Sequence, residues 1–253
     1  MDVKVLNKVF GLLEAVGARR GVPIQQRDLL RLVPGLTQAT CARLLHSLDE
    51  SGYVEALPGH RGYVLGPVAF WLGDGHRYQE ALQTAAEGPL HGFTAATGHS
   101  VLLCVRRGHF RVILTGCNAR GGVQLSLGLP RYHDLALCST GRLLLSFMGP
   151  KARADYVSAR GLPQGDPWPT HLTMHGFSAL LDRIRAAGEL RSHHAGRVAG
   201  AVPVPLPHSR EAVLGCVWRE EEDSRAERAM NALRAAASAI AANFAEQSNP
   251  VIE

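Results

Sequence analysis

The sequence predicts an α+β protein in two parts, an N-terminal winged helix-turn-helix followed by a larger mixed domain. Three observations carry this expectation. Three amphipathic helical stretches fall within the first fifty or so residues and are followed by two short β-prone runs. After Gly98 the apolar periodicity changes from helical to alternating, and the chain closes on a long alanine-rich helical stretch. With 253 residues, 46% of them hydrophobic and 19% charged, there is enough material for two domains that each bury a core.

Asp2 stands where a helix N-cap is wanted, and Val5, Leu6, Val9, Phe10, Leu12, Leu13 and Val16 recur at three- and four-residue steps up to Gly17. After Pro23 a shorter helix is expected over residues 25–33, with Ile24, Leu29, Leu32 and Val33 as its apolar side, stopped by Pro34-Gly35. Thr37 caps a third helix that buries Cys41, Leu44, Leu45 and Leu48 and closes near Ser51, where Gly52 supplies the left-handed position. Residues 53–57 and 61–65 flank Pro58-Gly59-His60 and read as a hairpin. The third helix leaves Gln38, Ala39, Thr40, Arg43 and Ser47 away from its leucines. Short or hydrogen-bonding side chains near a helix start, with an arginine one turn on, suit the base edges of a major groove. A plain three-helix bundle with a solvated polar face shows the same pattern.

Gly66-Pro67 ends the hairpin, and a connecting helix is expected over residues 67–82, carrying Phe70, Trp71 and Leu72. Helical spacing continues through Ala85, Leu90 and Phe93 to Gly98. Strands are expected over 100–105, 111–117 and 123–127, separated by Arg107-Gly108-His109 and Arg120-Gly121-Gly122. Helices follow over 139–148, 151–160 and 177–187, strands over 199–206 and 212–218, and a last helix over 224–247. The expected division is a winged helix-turn-helix domain at 1–66, a linker helix at 67–82 and an α+β domain with a mainly antiparallel sheet at 83–253.

Composition narrows the function. The formal charge of +5 is carried almost entirely by arginine, only Lys4, Lys8 and Lys151 being lysines, and residues 1–75 hold eight cations against seven acids. Any nucleic-acid role therefore rests on where side chains point and not on bulk charge. No run approaches eighteen apolar residues, and Met1-Asp2-Val3-Lys4 does not begin a secretory signal, so a cytoplasmic protein without membrane attachment is expected. Cys41, Cys104, Cys117, Cys138 and Cys216 form no C-x-x-C pair and read as small buried hydrophobes. His171 and His175 are four apart and, with His193-His194 or His208, have the composition of a metal site, but no carboxylate spacing accompanies them. Ser139 lacks the G-x-S-x-G elbow, and no phosphate loop or dinucleotide fingerprint is present, so neither enzymatic activity nor a cofactor is expected.

The runs Gly35-Leu36-Thr37-Gln38-Ala39-Thr40-Cys41-Ala42-Arg43-Leu44-Leu45-His46-Ser47-Leu48, Glu50-Ser51-Gly52-Tyr53-Val54 and Gly62-Tyr63-Val64-Leu65-Gly66-Pro67 resemble the DNA-binding half of the IclR family of bacterial transcriptional regulators. Farther on, Thr97-Gly98-His99-Ser100-Val101, Ser139-Thr140-Gly141-Arg142-Leu143-Leu144-Leu145-Ser146 and the stretch from Leu180 to Gly188 resemble landmarks of that family's effector domain. The resemblance implies a winged helix that binds double-stranded operator DNA, a linker helix that helps to dimerise, and a GAF-like C-terminal domain that holds a small metabolite, in a homodimer or tetramer. It places Gln38, Ala39, Thr40 and Arg43 at the recognition-helix positions and implies base-edge reading by Gln38 and Thr40, a base or phosphate contact from Arg43 and a phosphate contact from Arg61 in the wing. Thr37-Gln38-Ala39-Thr40 stands where the family often has Pro-Lys-Ser-Thr, which removes two donors.

For the effector, the resemblance implies a cradle at Ser139, Thr140 and Gly141, and a helix N-terminus does offer unpaired N–H groups to a carboxylate. Ser139 acting only as the cap of its own helix is the competing reading. Ala199, Cys216 and Trp218 align with the opposite wall, Trp218 either filling the pocket or stacking on an aromatic acid. The family's acidic run after the Arg-x-x-Gly helix is here Glu189-Leu190-Arg191-Ser192-His193-His194, which offers Arg191 or His193 to a ligand carboxylate, or else a solvated loop. Two further readings remain: a dimeric interaction module without ligand, and a metal-dependent enzyme.

Overall fold

The computed structural model of the chain describes residues 4–73, 79–125, 131–132, 134–207 and 211–248. Its contacts divide into two units, Met1–Arg77 and Tyr78–Glu253.

The first unit comprises α1 (Lys4–Gly17), α2 (Gln26–Leu32), α3 (Gln38–Glu50), an antiparallel hairpin of β1 (Val54–Leu57) and β2 (Gly62–Leu65), and α4 (Pro67–Gly73). Leu12, Val16, Leu29, Cys41, Leu45, Leu48 and Val54 close around one small core. The hairpin is tied to the chain ahead of α2 by paired backbone bonds between Ile24 and Tyr63, at 3.0 and 2.9 Å. Gly62 permits that approach, because it has φ +111° and a Cβ there would lie 2.6 Å from the Ile24 carbonyl oxygen. The apolar stripe of α1 is wider than this core uses. Val5, Leu6 and Phe10, expected inside, are about half exposed, and Leu32 of α2 is also at the surface. Phe70, Trp71 and Leu72 of α4 are more exposed still, Trp71 at 73%. The connecting helix expected over 67–82 corresponds to α4 and the start of the next helix at Glu80, and residues 74–78 lie outside the described ones. Asp2, the expected cap of α1, also lies outside them.

The second unit runs α5 (Glu80–Thr97), β3 (Ser100–Arg107), β4 (Phe110–Cys117), β5 (Arg131–Tyr132), α6 (Ser139–Ser146), α7 (Pro150–Arg160), α8 (Met174–Ala187), β6 (Leu190–His194), β7 (Arg197–Pro205), β8 (Glu211–Arg219) and α9 (Ala226–Ser248). All neighbours in its six-stranded sheet, in the order β5-β4-β3-β8-β7-β6, are antiparallel. Successive strand residues point to opposite faces, so each central strand feeds two cores. Val101, Leu103, Val105, Val198, Val202, Leu214, Cys216 and Trp218 pack against α5 and α9. Leu102, Cys104, Ala201 and Val213 pack on the other side against Leu143, Leu144, Phe177, Leu181 and Ile184 of α6 and α8. The result is a three-layer domain with helices on both faces of the sheet.

Two differences from the sequence expectation concern strands. Residues 123–125 are irregular: Asn118 accepts from the Leu125 amide at 2.8 Å and Gln124 donates to Ala119 and Gly122, so side chains replace the ladder bonds a strand would make. Residues 126–127 of that expected strand lie outside the described ones. Conversely, residues 190–194 form an edge strand, β6, where only a loop was in view. Of the cysteines, Cys41, Cys104 and Cys216 are buried, whereas Cys117 and Cys138 are intermediate.

His99, at 8% exposure, enters β3 with its ring 5.9 Å from Trp218 and its Nδ1 3.9 Å from Glu222. Burial holds its pKa below the ordinary histidine value of about 6.5, with Glu222 opposing and Arg225 adding to the effect. The unfolded chain then binds the proton more readily, so this contribution is intact above about pH 6.5 and is lost as the pH falls toward the lower folded value. In urea unfolding of the second unit across that window, His99→Gln should show a shallower fall of stability with acid than wild type; equal slopes would remove His99 as the cause.

Candidate nucleic-acid interface and ligand site

The third helix is held from behind. Cys41, Leu45 and Leu48 are buried and Leu44 half-buried, while Gln38, Ala39, Arg43 and Ser47 are exposed. Thr37 caps the helix: its Oγ1 accepts from the Thr40 amide at 3.3 Å and donates to the Thr40 hydroxyl at 2.9 Å. Thr40 is thereby half-buried and partly committed to the cap, leaving its own hydroxyl hydrogen to reach outward. Gln26 at the start of α2 donates to the Gln38 carbonyl at 3.2 Å, which fixes the angle between the two helices. Arg43 makes no ion pair among the described residues, whereas His46 is paired with Glu50 at 3.5 Å one turn along. Arg61 donates from Nε to the Pro58 carbonyl at 3.0 Å, so the wing cation is folded against its own turn. Arg27 and Arg31 of α2, which the sequence reading passed over, are well exposed beside Asp28.

In the second unit the start of α6 is packed directly onto the sheet. Ser139, 2% exposed, shares a 2.5 Å hydrogen bond with the Ser192 hydroxyl and donates to the Ala199 carbonyl at 3.1 Å. A Cβ on Gly215 would overlap the Thr140 methyl, and one on Gly141 would overlap the Leu135 carbonyl. Cys138, not Ser139, is the N-cap: its Sγ accepts from the Gly141 amide at 3.4 Å and donates to the Asp134 carbonyl at 3.5 Å. Asp134 is held by Arg111 of β4, with a 2.8 Å bond from Nε and a second bond from the terminal nitrogen, so the segment that leads into α6 is anchored to the sheet. Burial alone would lower the Arg111 pKa, but its bonds to Asp134 outweigh this and raise it, while burial pushes the Cys104 thiol up to about 12.

The residues expected to face one ligand divide between two sides of the sheet. On the α6 side Ser139 meets Ser192 and Ala199, Thr140 meets Gly215, and Gly141 abuts Leu135. Cys216 and Trp218 pack on the opposite side with α9, and Trp218, 1% exposed, donates to Asp223 at 3.3 Å. They therefore do not form a wall facing α6; Trp218 is core packing, in contact with the space above Gly200. Arg191 and His193 alternate with Ser192 along β6 and so also face away from α6, His193 pairing with Glu220 at 3.3 Å. Ser192 is the polar partner that the sequence reading missed, because its orientation follows only once β6 is known to be a strand.

On the α6 side, one turn beyond Ser139, the guanidinium of Arg142 lies over the Trp168 ring at 5.3 Å. Its Nε is buried without a hydrogen-bond partner among the described residues. Burial lowers its pKa, with Asp166 and Cys138 opposing. Trp168 is itself fixed by a 2.7 Å bond to the Ala136 carbonyl, and Asp166 pairs with His194 of β6 at 3.4 Å. Nearby in sequence, His171 lines a surface groove with Leu162, Pro163, Gln164, Thr170, Leu172 and Thr173. Among the described residues no three metal-ligating side chains gather, and His208 lies outside those residues. No described helix is long and apolar enough to cross a membrane.

The architecture is shared with solved regulators over nearly the whole chain. An IclR homologue from Microbacterium hydrocarbonoxydans, solved with 4-hydroxybenzoate, is 21% identical with a TM-score of 0.74, covering 96% of this chain and 99% of its own. An IclR-type transcriptional regulator from Alicyclobacillus acidocaldarius is 22% identical with a TM-score of 0.71, covering 96% and 100%. The IclR protein of Thermotoga maritima is 18% identical with a TM-score of 0.64, covering 96% and 99%. No family model and no curated protein matches the sequence. The chain thus has the fold of IclR-type transcriptional regulators, the α+β architecture expected from its sequence.

The Ser139–Ser192 bond ties α6 to the edge strand. Ser139→Ala and Ser192→Ala should each destabilise the second unit by about 1 kcal/mol, and the double variant by less than the sum, as read from urea midpoints; strictly additive losses would show that the two hydroxyls do not act together.

Proposed function

We propose that this chain is a ligand-responsive transcriptional regulator of the IclR type, one that binds operator DNA as a homodimer or a pair of dimers and is not an enzyme. The observation that carries the reading is the outward polar face of α3, Gln38, Ala39, Arg43 and Ser47, anchored by buried leucines on a unit whose fold is that of known regulators. Gln38 and Thr40 read base edges, Arg43 takes a base or a phosphate, and Arg61 reaches phosphate once released from the Pro58 carbonyl. The exposed apolar side chains of α1 (Val5, Leu6, Phe10) and α4 (Phe70, Trp71, Leu72) support a second copy of the chain as partner, since patches of this kind on a regulator cover one another in a dimer. Cytoplasmic DNA is the target.

The effector is a small metabolite, a carboxylic or aromatic acid; the 4-hydroxybenzoate held by the Microbacterium homologue supports that class. A ligand in the second unit acts by changing the relative placement of the two winged helices of the dimer, because two half-sites are engaged together only at a matching spacing. The near-neutral charge of residues 1–75 favours, as a second reading, a module that binds protein instead of DNA.

Fluorescence anisotropy with a duplex from upstream of the gene, at two salt concentrations, separates these. Binding that weakens with salt is expected, and Arg43→Ala should weaken it about tenfold, within the range of one bidentate base contact. No binding at low salt, or an unchanged affinity for the variant, would reject the regulator reading or the role of Arg43 respectively.

A further inference from the structure

We infer that His46 is a further duplex contact of α3 and that it binds as the imidazolium, so that the affinity of the chain for DNA rises as the pH falls. This rests on the regulator reading above and adds a residue and a proton to it.

Side chains three and four apart share one face of an α-helix. Ala39, Arg43, His46 and Glu50 are spaced in that way, and all four are exposed. Around the helix this row lies opposite the buried Cys41, Leu45 and Leu48, whereas Gln38 and Ser47 fall toward its two margins. His46 therefore stands in the middle of the outward face, one turn beyond Arg43.

The neighbouring carboxylate decides where the proton matters. Nε2 of His46 lies 3.5 Å from Glu50, and the two side chains are 71% and 67% exposed. A carboxylate there favours hydrogen on Nε2, which leaves Nδ1 of the neutral ring an acceptor. Phosphate oxygens and the guanine N7 and O6 atoms are acceptors too, so the neutral ring gives them no donor. The imidazolium carries a hydrogen on both nitrogens, one for Glu50 and one for the duplex. Charge has the same sign. With a neutral His46, Arg43 and Glu50 cancel on this face; with the imidazolium, the face turns one positive charge toward a polyanion. The other carboxylate of α3, Asp49, is directed to the hairpin, where it accepts from the Ala56 amide at 2.9 Å. The elements packed most closely on α3 are α2 and β1. Their charged groups are Arg27, Asp28, Arg31 and Glu55, with Asp28 shared by its two arginines at 4.0 and 3.6 Å.

The test repeats the anisotropy assay with the same duplex at fixed salt, at about pH 6 and about pH 8, on the full-length wild type, His46→Gln and Glu50→Gln. Glutamine suits an exposed helix position; should circular dichroism show a loss of helix, alanine takes its place. Expected for wild type is binding at least about threefold tighter at the lower pH, one linked proton allowing up to about tenfold per pH unit. His46→Gln flattens this dependence and weakens binding at the lower pH, whereas Glu50→Gln binds more tightly than wild type at the higher one. The same pH ratio in wild type and His46→Gln overturns the assignment. So does a wild-type affinity that is equal at the two pH values, or a Glu50→Gln variant no tighter than wild type at the higher pH. Salt-sensitive duplex binding alongside any of those results leaves the regulator reading intact. Absence of duplex binding at both pH values is the failure of that reading itself, and the assignment of His46 falls with it.

Discussion

The central strands of the second unit are buried on both sides, and that double commitment governs everything built on them. On β8, Leu214, Cys216 and Trp218 serve the core under α5 and α9, while Val213 serves the core under α6 and α8. Because the side-chain period is two, a slip of one residue would exchange every one of these assignments. The register of β7 on β8, nine consecutive pairs from Arg197↔Arg219 to Pro205↔Glu211, is therefore fixed by two cores at once. Gly200 and Gly215 mark where that packing is closest: the first lies under Trp218 and Met230, the second under Thr140. Those contacts fix where α6 can sit, and with it Ser139 and Arg142.

Much of this was legible in the sequence. The helical period identifies α1 to α3, α8 and α9, turn residues place the hairpin, and the change to alternation after Gly98 announces the sheet. Thr37 is visible as a cap because the residues that follow it, Cys41, Leu44, Leu45 and Leu48, begin a clear apolar face. What was not legible has specific causes. β6 is an edge strand of Leu-Arg-Ser-His-His, with too little alternation to register against a loop. The side of the sheet on which Trp218 lies depends on strand parity relative to α6, which no local pattern contains; hence the mistaken pairing of Cys216 and Trp218 with Ser139. The state of Arg142 depends on Trp168, twenty-six residues away, and on the lack of a carboxylate partner within the fold, neither of which a sequence window can display.

The two units divide their polar chemistry differently. In the first, hydrogen bonds organise the backbone around an exposed face: Gln26 to Gln38, Thr37 to Thr40, Arg61 to Pro58. Each orients a segment without spending the Gln38 amide or the Arg43 guanidinium of α3, which stay available to a partner. In the second, polar groups are consumed internally. Arg111 and Asp134 lock the approach to α6, Arg153 bonds the Ser146 and Ser178 carbonyls as well as Asp182, and the Ser139 hydroxyl is spent between two strands. The Nε atoms of Arg142 and Arg153 are exceptions, buried without a hydrogen-bond partner among the described residues where buried donors are normally paired.

The terminal strand β6 carries a final implication for how the molecule behaves in a crowded solution. A sheet can extend by accepting a foreign strand along its outer margin, which is how many β-rich proteins begin to form fibrils. Here that margin is only five residues long and bears Arg191, His193 and His194, and the turn that follows places Ala195 in the left-handed region at φ 49°. Short length and ionisable side chains discourage such templating. The same polarity that hid this strand from pattern reading thus serves as its protection against self-association along the sheet.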